Sequence, residues 1–223
     1  MKKNILAISI IALMTVFTAC KKGAKNEAST AEAETATATT EAAVKYKAVP
    51  GESIIEWKGS KPTGTHIGTV TIESGVISLK NGVVESGNFL IDMKTITVTD
   101  LEPGDGKENL EAHLKGTVEG KQDHFFNVKE HPTAYFEVTG VEKVEGKTML
   151  KGNLALKGQK KNIAFPVSVT ENGDAVILKS EAFPINRTDW GVNYGSKSIF
   201  DDLGDKFIND EIELAITVKA TKA

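Results

Sequence analysis

The chain has 223 residues, 40% of them hydrophobic and 26% charged, with 27 basic against 30 acidic side chains and a net charge of -3. Such a composition excludes a polytopic membrane protein, a collagen-like repeat and a wholly disordered chain. The near-balanced charge argues against a general nucleic-acid binder, and the single cysteine, Cys20, excludes an internal disulfide and a cysteine-based zinc cluster.

The first segment reads as an address. Met1, Lys2 and Lys3 precede an apolar run from Ile5 to Phe17, and Thr18 and Ala19 lead into Cys20. A basic start, a short apolar stretch and small residues make a secretory signal. The run is shorter than the roughly 20 residues a membrane-spanning helix needs. With the lone cysteine directly after the small residues, the segment resembles a bacterial lipoprotein signal, although Phe17 stands where leucine is commonest. That resemblance implies a signal peptide over 1–19 and lipidation of Cys20. It also implies a protein anchored in the cell envelope, at the outer membrane because Lys21 and Lys22 follow, with its domain in the periplasm or at the cell surface. Buried acyl chains contribute about 0.8 kcal/mol per methylene, so two or more anchor stably.

From Ala28 to Ala43 every residue is Ala, Ser, Thr or Glu. With no large apolar side chain to bury, 20–43 is predicted to be a disordered tether. As a coil it would span about 25–30 Å. Residues 44–223 show no second break in composition and no repeat, which predicts one domain with one core.

Within that domain the dominant period is two. Val70 and Ile72 alternate with polar neighbours; Phe89, Ile91 and Met93 share one face; Ile163, Phe165, Val167 and Val169 share another, as do Ile212, Leu214, Ile216 and Val218. Further strands are predicted at Ile54–Lys58, Val76–Leu79, Tyr135–Val141, Thr148–Lys157, Ala175–Lys179 and Ala182–Asn186. Asn81-Gly82, Glu145-Gly146 and Asn172-Gly173-Asp174 supply turns. Lys107–Lys115 departs from the pattern, with Leu110 and Leu114 at helical spacing. The expected fold class is all-β: about eight strands in an antiparallel barrel or sandwich, with one or two short capping helices.

Several segments, taken in order, resemble the YceI-like family of bacterial lipid-binding proteins. They are Trp57-Lys58-Gly59-Ser60-Lys61-Pro62-Thr63-Gly64-Thr65-His66, Gly87-Asn88-Phe89-Leu90-Ile91-Asp92-Met93, and His113-Leu114-Lys115 with Asp123-His124-Phe125-Phe126-Asn127-Val128. His131-Pro132-Thr133-Ala134-Tyr135-Phe136, Gly152-Asn153-Leu154-Ala155-Leu156-Lys157-Gly158 and Asn186-Arg187-Thr188-Asp189-Trp190-Gly191-Val192 follow, then Leu203-Gly204-Asp205. Gly116–Gln122 makes a longer link than the family pattern has. The resemblance implies an extended lipocalin-like barrel whose apolar interior holds an isoprenoid or another long-chain amphiphile. An apolar tail gains about 25 cal/mol for each Å² taken out of water, so such a ligand needs few polar contacts. Read from alternation alone, the inward faces form either a filled core or the wall of a cavity.

The expected ligand contacts are Val70, Ile72, Phe89, Ile91, Met93, Phe136, Leu154 and Phe165 along the tail, with Leu110, His113, Leu114 and Phe126 at the cap. Arg187, the only arginine, can contact a head group or form a structural ion pair with a carboxylate such as Asp92 or Asp189. Trp190 can line the channel or plug one end. His66, His113, His124 and His131 show no H-E-x-x-H or i, i+4 spacing, so no metal site is expected. No cofactor is expected, and no G-x-S-x-G, P-loop or G-x-G-x-x-G motif points to an enzyme. The expected partners are a long-chain lipid and, through the anchor, a membrane; a second copy of the chain is compatible with the sequence. The rival reading is a surface or structural interaction module with a filled barrel.

Overall fold

A computed structural model describes Ala28 and residues 30–223; the signal segment and Cys20 lie outside the described residues. The strands are β1 (Val44–Ala48), β2 (Ile54–Lys61), β3 (Gly64–Lys80), β4 (Val83–Val98), β5 (Thr133–Val144), β6 (Lys147–Leu156), β7 (Gln159–Asn172), β8 (Ala175–Ser180), β9 (Phe183–Asn186) and β10 (Glu211–Lys222). Helix α1 spans Lys107–Lys115, as the leucine spacing predicts.

Among the described residues all ten strands belong to one antiparallel sheet, ordered β1-β10-β2-β3-β4-β5-β6-β7-β8, and the β8–β10 pairing closes it. β1 and β2 lie end to end between β10 and β3, and β8 and β9 lie end to end along the other side of β10. The ring therefore has about eight staves, a number that lets side chains fill a barrel or leave room for one slender ligand. Closure also removes the unpaired edges that would invite association.

Two irregularities decide which residues face inward. Glu73 is an extra residue on β3, between the pairs Ile72–Ile91 and Ser74–Leu90. It switches the inward parity, so Val70 and Ile72 face in before it, and Ile77 and Leu79 after it. That is why two segments separate in the sequence pattern form a single strand. On β4, residues 93–96 bulge opposite Val70. Thr95 holds the bulge: its Oγ1 donates to the Asp92 carbonyl and accepts from the Thr71 N–H. Both Met93 and Ile96 consequently point into the barrel.

The barrel is filled for only part of its length. In the half bounded by the β3–β4, β5–β6 and β7–β8 turns, Ile77, Leu79, Val84, Val138, Leu150, Val176, Leu178, Val218 and Ala220 pack together. An aromatic layer tops them. Phe165 stacks on Phe183 with centroids 4.4 Å apart, and Phe136 lies 5.6 Å from Phe165. Gly152 makes room for it, because a Cβ there would stand 2.1 Å from Phe136 Cζ.

The segment read as a free tether differs from that expectation from residue 30 onward. It lies across the outside of the barrel as a strap. Thr40 bonds Glu85 and Thr39 bonds Ser86, both on β4. The Thr37 N–H donates to Val138 on β5, Glu34 exchanges two bonds with the Asn153 amide on β6, and Ala31 pairs with Asn162 on β7. Thr30 then reaches Asp189, and the Ala28 N–H reaches the Pro184 carbonyl. Small polar residues can lie flat on a sheet, and Asn153 and Asn162 project outward to meet them. Both asparagines are consequently buried.

Candidate ligand-binding site

Above the aromatic layer the barrel is hollow. A cavity of about 410 Å³ opens at the end bearing α1 and the β2–β3 hairpin. Its wall comes from inward positions of the strands: Ile55 and Trp57 on β2, Val70 on β3, Ile91, Met93 and Ile96 on β4, Ala134 on β5, Leu154 and Leu156 on β6, Ile185 on β9, and Ile212 and Leu214 on β10. Trp57 reaches its place because Gly68 has no side chain; a Cβ there would lie 2.4 Å from the indole.

The cap is built on α1. Glycines in the left-handed conformation bound it at Gly106 and Gly116. Glu111 accepts from the Val98 N–H at 2.9 Å, and Lys107 donates to the Val98 carbonyl, so the helix is tied to the end of β4. Leu110 and Leu114 then face the cavity, as expected, together with Phe125 and Phe126 from the following loop.

Polar groups gather at the mouth. His113 Nε2 lies 2.8 Å from His124 Nδ1, and the His124 ring stacks on Tyr194 at 4.0 Å. His113 also meets Phe125 edge-on. Burial, then the nearby His124 and Lys121 charges, hold the His113 imidazole below its ordinary value. Ser60, Lys61, His66, Lys206 and Asn209 complete the rim. Among the described residues no three His, Cys, Asp or Glu side chains come together as a metal site.

The structure divides the residues picked out in the sequence. Val70, Ile91, Met93, Leu110, His113, Leu114, Phe126 and Leu154 line the cavity. Ile72, Phe89, Phe136 and Phe165 face inward as their parity predicts, but they sit deeper, in the filled half and its aromatic layer. Alternation reports the face of a strand and not the depth along it. Trp190 is wholly buried, with its indole N–H donating to the Leu154 carbonyl at 3.0 Å; it packs in the core and does not line the cavity.

Arg187 borders the cavity but is not free to grip a head group. Its guanidinium donates to the carbonyls of Asn209 at 3.1 Å, Ile208 at 3.0 Å and Val192, with Asp210 at 3.5 Å. It staples residues 191–210 to the barrel end. Neither Asp92 nor Asp189 is its ion-pair partner; Asp210 is.

Sequence reasoning passed over Tyr194, Ile208, Lys61 and Lys206. Tyr194, Lys206 and Ile208 come from connecting segments, where no periodicity marks the inward side chain, and Lys61 is the last residue of β2, beside the hairpin turn. Ile212 and Leu214 carried the right alternation, and Ile185 shares parity with Phe183 and Arg187, so a signal for these three was present.

A closed antiparallel barrel with a dead-end apolar cavity and a polar mouth defines a class of proteins that can enclose a hydrocarbon. The YceI-like domain model matches residues 46–220, and the chain belongs to that family. Among solved structures it is similar to BcnA of Burkholderia cenocepacia, at 20% identity and a TM-score of 0.52, covering 76% of this chain and 96% of that one. It is also similar to a polyisoprenoid binding domain from Saccharophagus degradans implicated in plant cell wall breakdown, at 12% identity and a TM-score of 0.55, covering 81% and 99%. No curated protein matches the chain.

Proposed function

We propose that the protein binds the tail of a long-chain isoprenoid, quinone-like or fatty amphiphile inside its barrel and carries or sequesters it without chemical change. The observation that carries this reading is the half-hollow barrel. A volume of about 410 Å³ is within the range of small-molecule sites. Its walls are apolar and its polar groups stand at one end only, which suits a ligand with a hydrocarbon tail and a polar head. A tail buried there gains about 25 cal/mol per Å². Family membership and the polyisoprenoid-binding neighbour agree with this reading.

The same reading places the protein in the bacterial envelope, with acyl chains on Cys20 as its anchor. The basic residues, the apolar run Ile5–Phe17 and the position of the only cysteine support it.

The test is native mass spectrometry of the full chain purified from its own host, followed by organic extraction. The expected result is one long-chain lipid per barrel. A lipid-free mass that persists after incubation with quinones, prenols and fatty amides would contradict binding and favour an interaction module.

A further inference from the structure

The strap runs in one direction along the barrel, and that direction bears on how the molecule sits. It starts beside β1 and touches Glu85 and Ser86 near the filled end. It then climbs past Val138, Asn153 and Asn162. It ends with Thr30 on Asp189, in the turn that follows Arg187, and with Ala28 on Pro184, next to the cavity-lining Ile185. The described chain therefore ends on the cavity half of the barrel.

The reach of the anchor changes accordingly. Were the whole stretch from Cys20 to Val44 free, it could extend at most about 86 Å at about 3.6 Å per residue. With the strap seated, only Cys20 to Ala28 remains, and that reaches at most about 29 Å at about 3.6 Å per residue. A lipid held on Cys20 then lies within one short segment of the mouth.

The mouth suits such a neighbour. Ile67 stands at its rim, 45% exposed, next to the lining residue His66. Tyr194 at 38%, Ile199 at 50% and Phe200 at 48% project from the segment that Arg187 staples down. Aromatic and long aliphatic side chains of this kind favour a bilayer interface. The filled end also exposes apolar groups, but they are the smaller Val44, Val83 and Val144, and the strap leads away from them. On the mouth side Lys61, Lys197 and Lys206 are offset by Asp201, Asp202 and Asp205, so attraction to anionic lipid is not the driving force.

We propose that the cavity mouth, through Ile67, Tyr194, Ile199 and Phe200, docks on the surface of the bilayer, and that the strap fixes this orientation. The proposal rests on the reading that Cys20 is the anchored residue. Its consequence is a path by which a hydrocarbon tail passes between bilayer and barrel with little exposure to water.

The test uses the full chain reconstituted in vesicles of phosphatidylethanolamine and phosphatidylglycerol. Ile199→Cys at the mouth and Val144→Cys at the filled end are each labelled with a thiol-reactive fluorophore; a lipidated Cys20, as a thioether, does not react. Spin-labelled lipid should quench the label at 199 severalfold more than the label at 144. Combining Thr30→Ala with Glu34→Pro, which alters the strap and leaves the barrel residues intact, should bring the two toward equality. Equal quenching at the start, stronger quenching at 144, or none at either site overturns the proposed docking; an unchanged ratio in the strap variant overturns the strap's part. Mass spectrometry of the N-terminal peptide separates these failures from failure of the anchor. A peptide without acyl chains overturns the anchor reading and the docking with it.

Discussion

Arg187 illustrates how a residue type can be conspicuous for a structural reason. A planar fork was needed because several backbone carbonyls converge on one buried point, and no lysine could satisfy them together. Arg187→Met would orphan those carbonyls and take the counter-charge from the Asp210 carboxylate, which keeps only its bond from the Ser198 hydroxyl. It should cost about 3 kcal/mol, measured by urea unfolding; a loss near zero would contradict the staple. Gly152 makes a second residue-scale prediction. With a Cβ clashing with the Phe136 ring and 2.8 Å from the Glu137 carbonyl, Gly152→Ala should cost roughly 1–3 kcal/mol through overpacking. Thermal unfolding measures it, and an unshifted midpoint would show that the aromatic layer is loose. His113 supplies a pH dependence. Its folded-state value lies below the ordinary 6.5, so the unfolded chain takes up a proton first as pH falls. Stability should therefore decline below about pH 6.5 and level off once the folded imidazole is also protonated. His113→Gln should flatten that decline in unfolding curves collected between pH 7.5 and 5, and an unchanged slope would remove His113 from the account.

At the scale of elements, the strands and α1 were readable because each has a period of its own. Leu110 and Leu114 placed the helix, and hairpin turns with positive φ at Asn81-Gly82 and Glu145-Gly146 separated the strands. β1 was not readable: Val44–Ala48 is short and alternates lysine with Tyr46. The strap was misjudged for a physical reason. Its composition cannot build a core, and nothing within it reveals that Asn153 and Asn162 await it on the barrel wall. The two asparagines form one network, since the Asn162 amide also donates to Asn153 Oδ1 and to Thr139 in the β5 bulge. Asn153→Ala should thus remove the strap's central contact and leave the Asn162 donor short of an acceptor, a cost of about 1–2 kcal/mol. It should also speed proteolysis between residues 30 and 43. Unchanged cleavage would mean that the strap is held elsewhere.

At the scale of the whole molecule, the barrel answers both readings of its alternating strands. One half is core and the other is cavity. The division falls at a layer of phenylalanines that the sequence shows as ordinary inward residues. Thus Phe136 and Phe165 set the depth of the cavity, while Leu154, two positions from Gly152 on β6, belongs to its wall. Depth depends on registers and bulges across neighbouring strands, such as Glu73 on β3, and no single strand records it. The mouth depends on connecting segments that Arg187 and Glu111 hold in place, which is why Tyr194 and Ile208 escaped notice.

The central claim is that the upper half of the barrel takes up a hydrocarbon, and filling that space tests it most directly. Ile91→Phe with Ala134→Phe adds bulk at two wall positions while keeping them apolar. Binding of ubiquinone-8 would be followed by quenching of tryptophan emission, to which Trp57 contributes from the cavity wall. The account predicts saturable quenching at one quinone per chain, weakened at least tenfold in the filled variant while its melting temperature holds or rises. Equal quenching in both proteins, or none that saturates in the unaltered one, would contradict it.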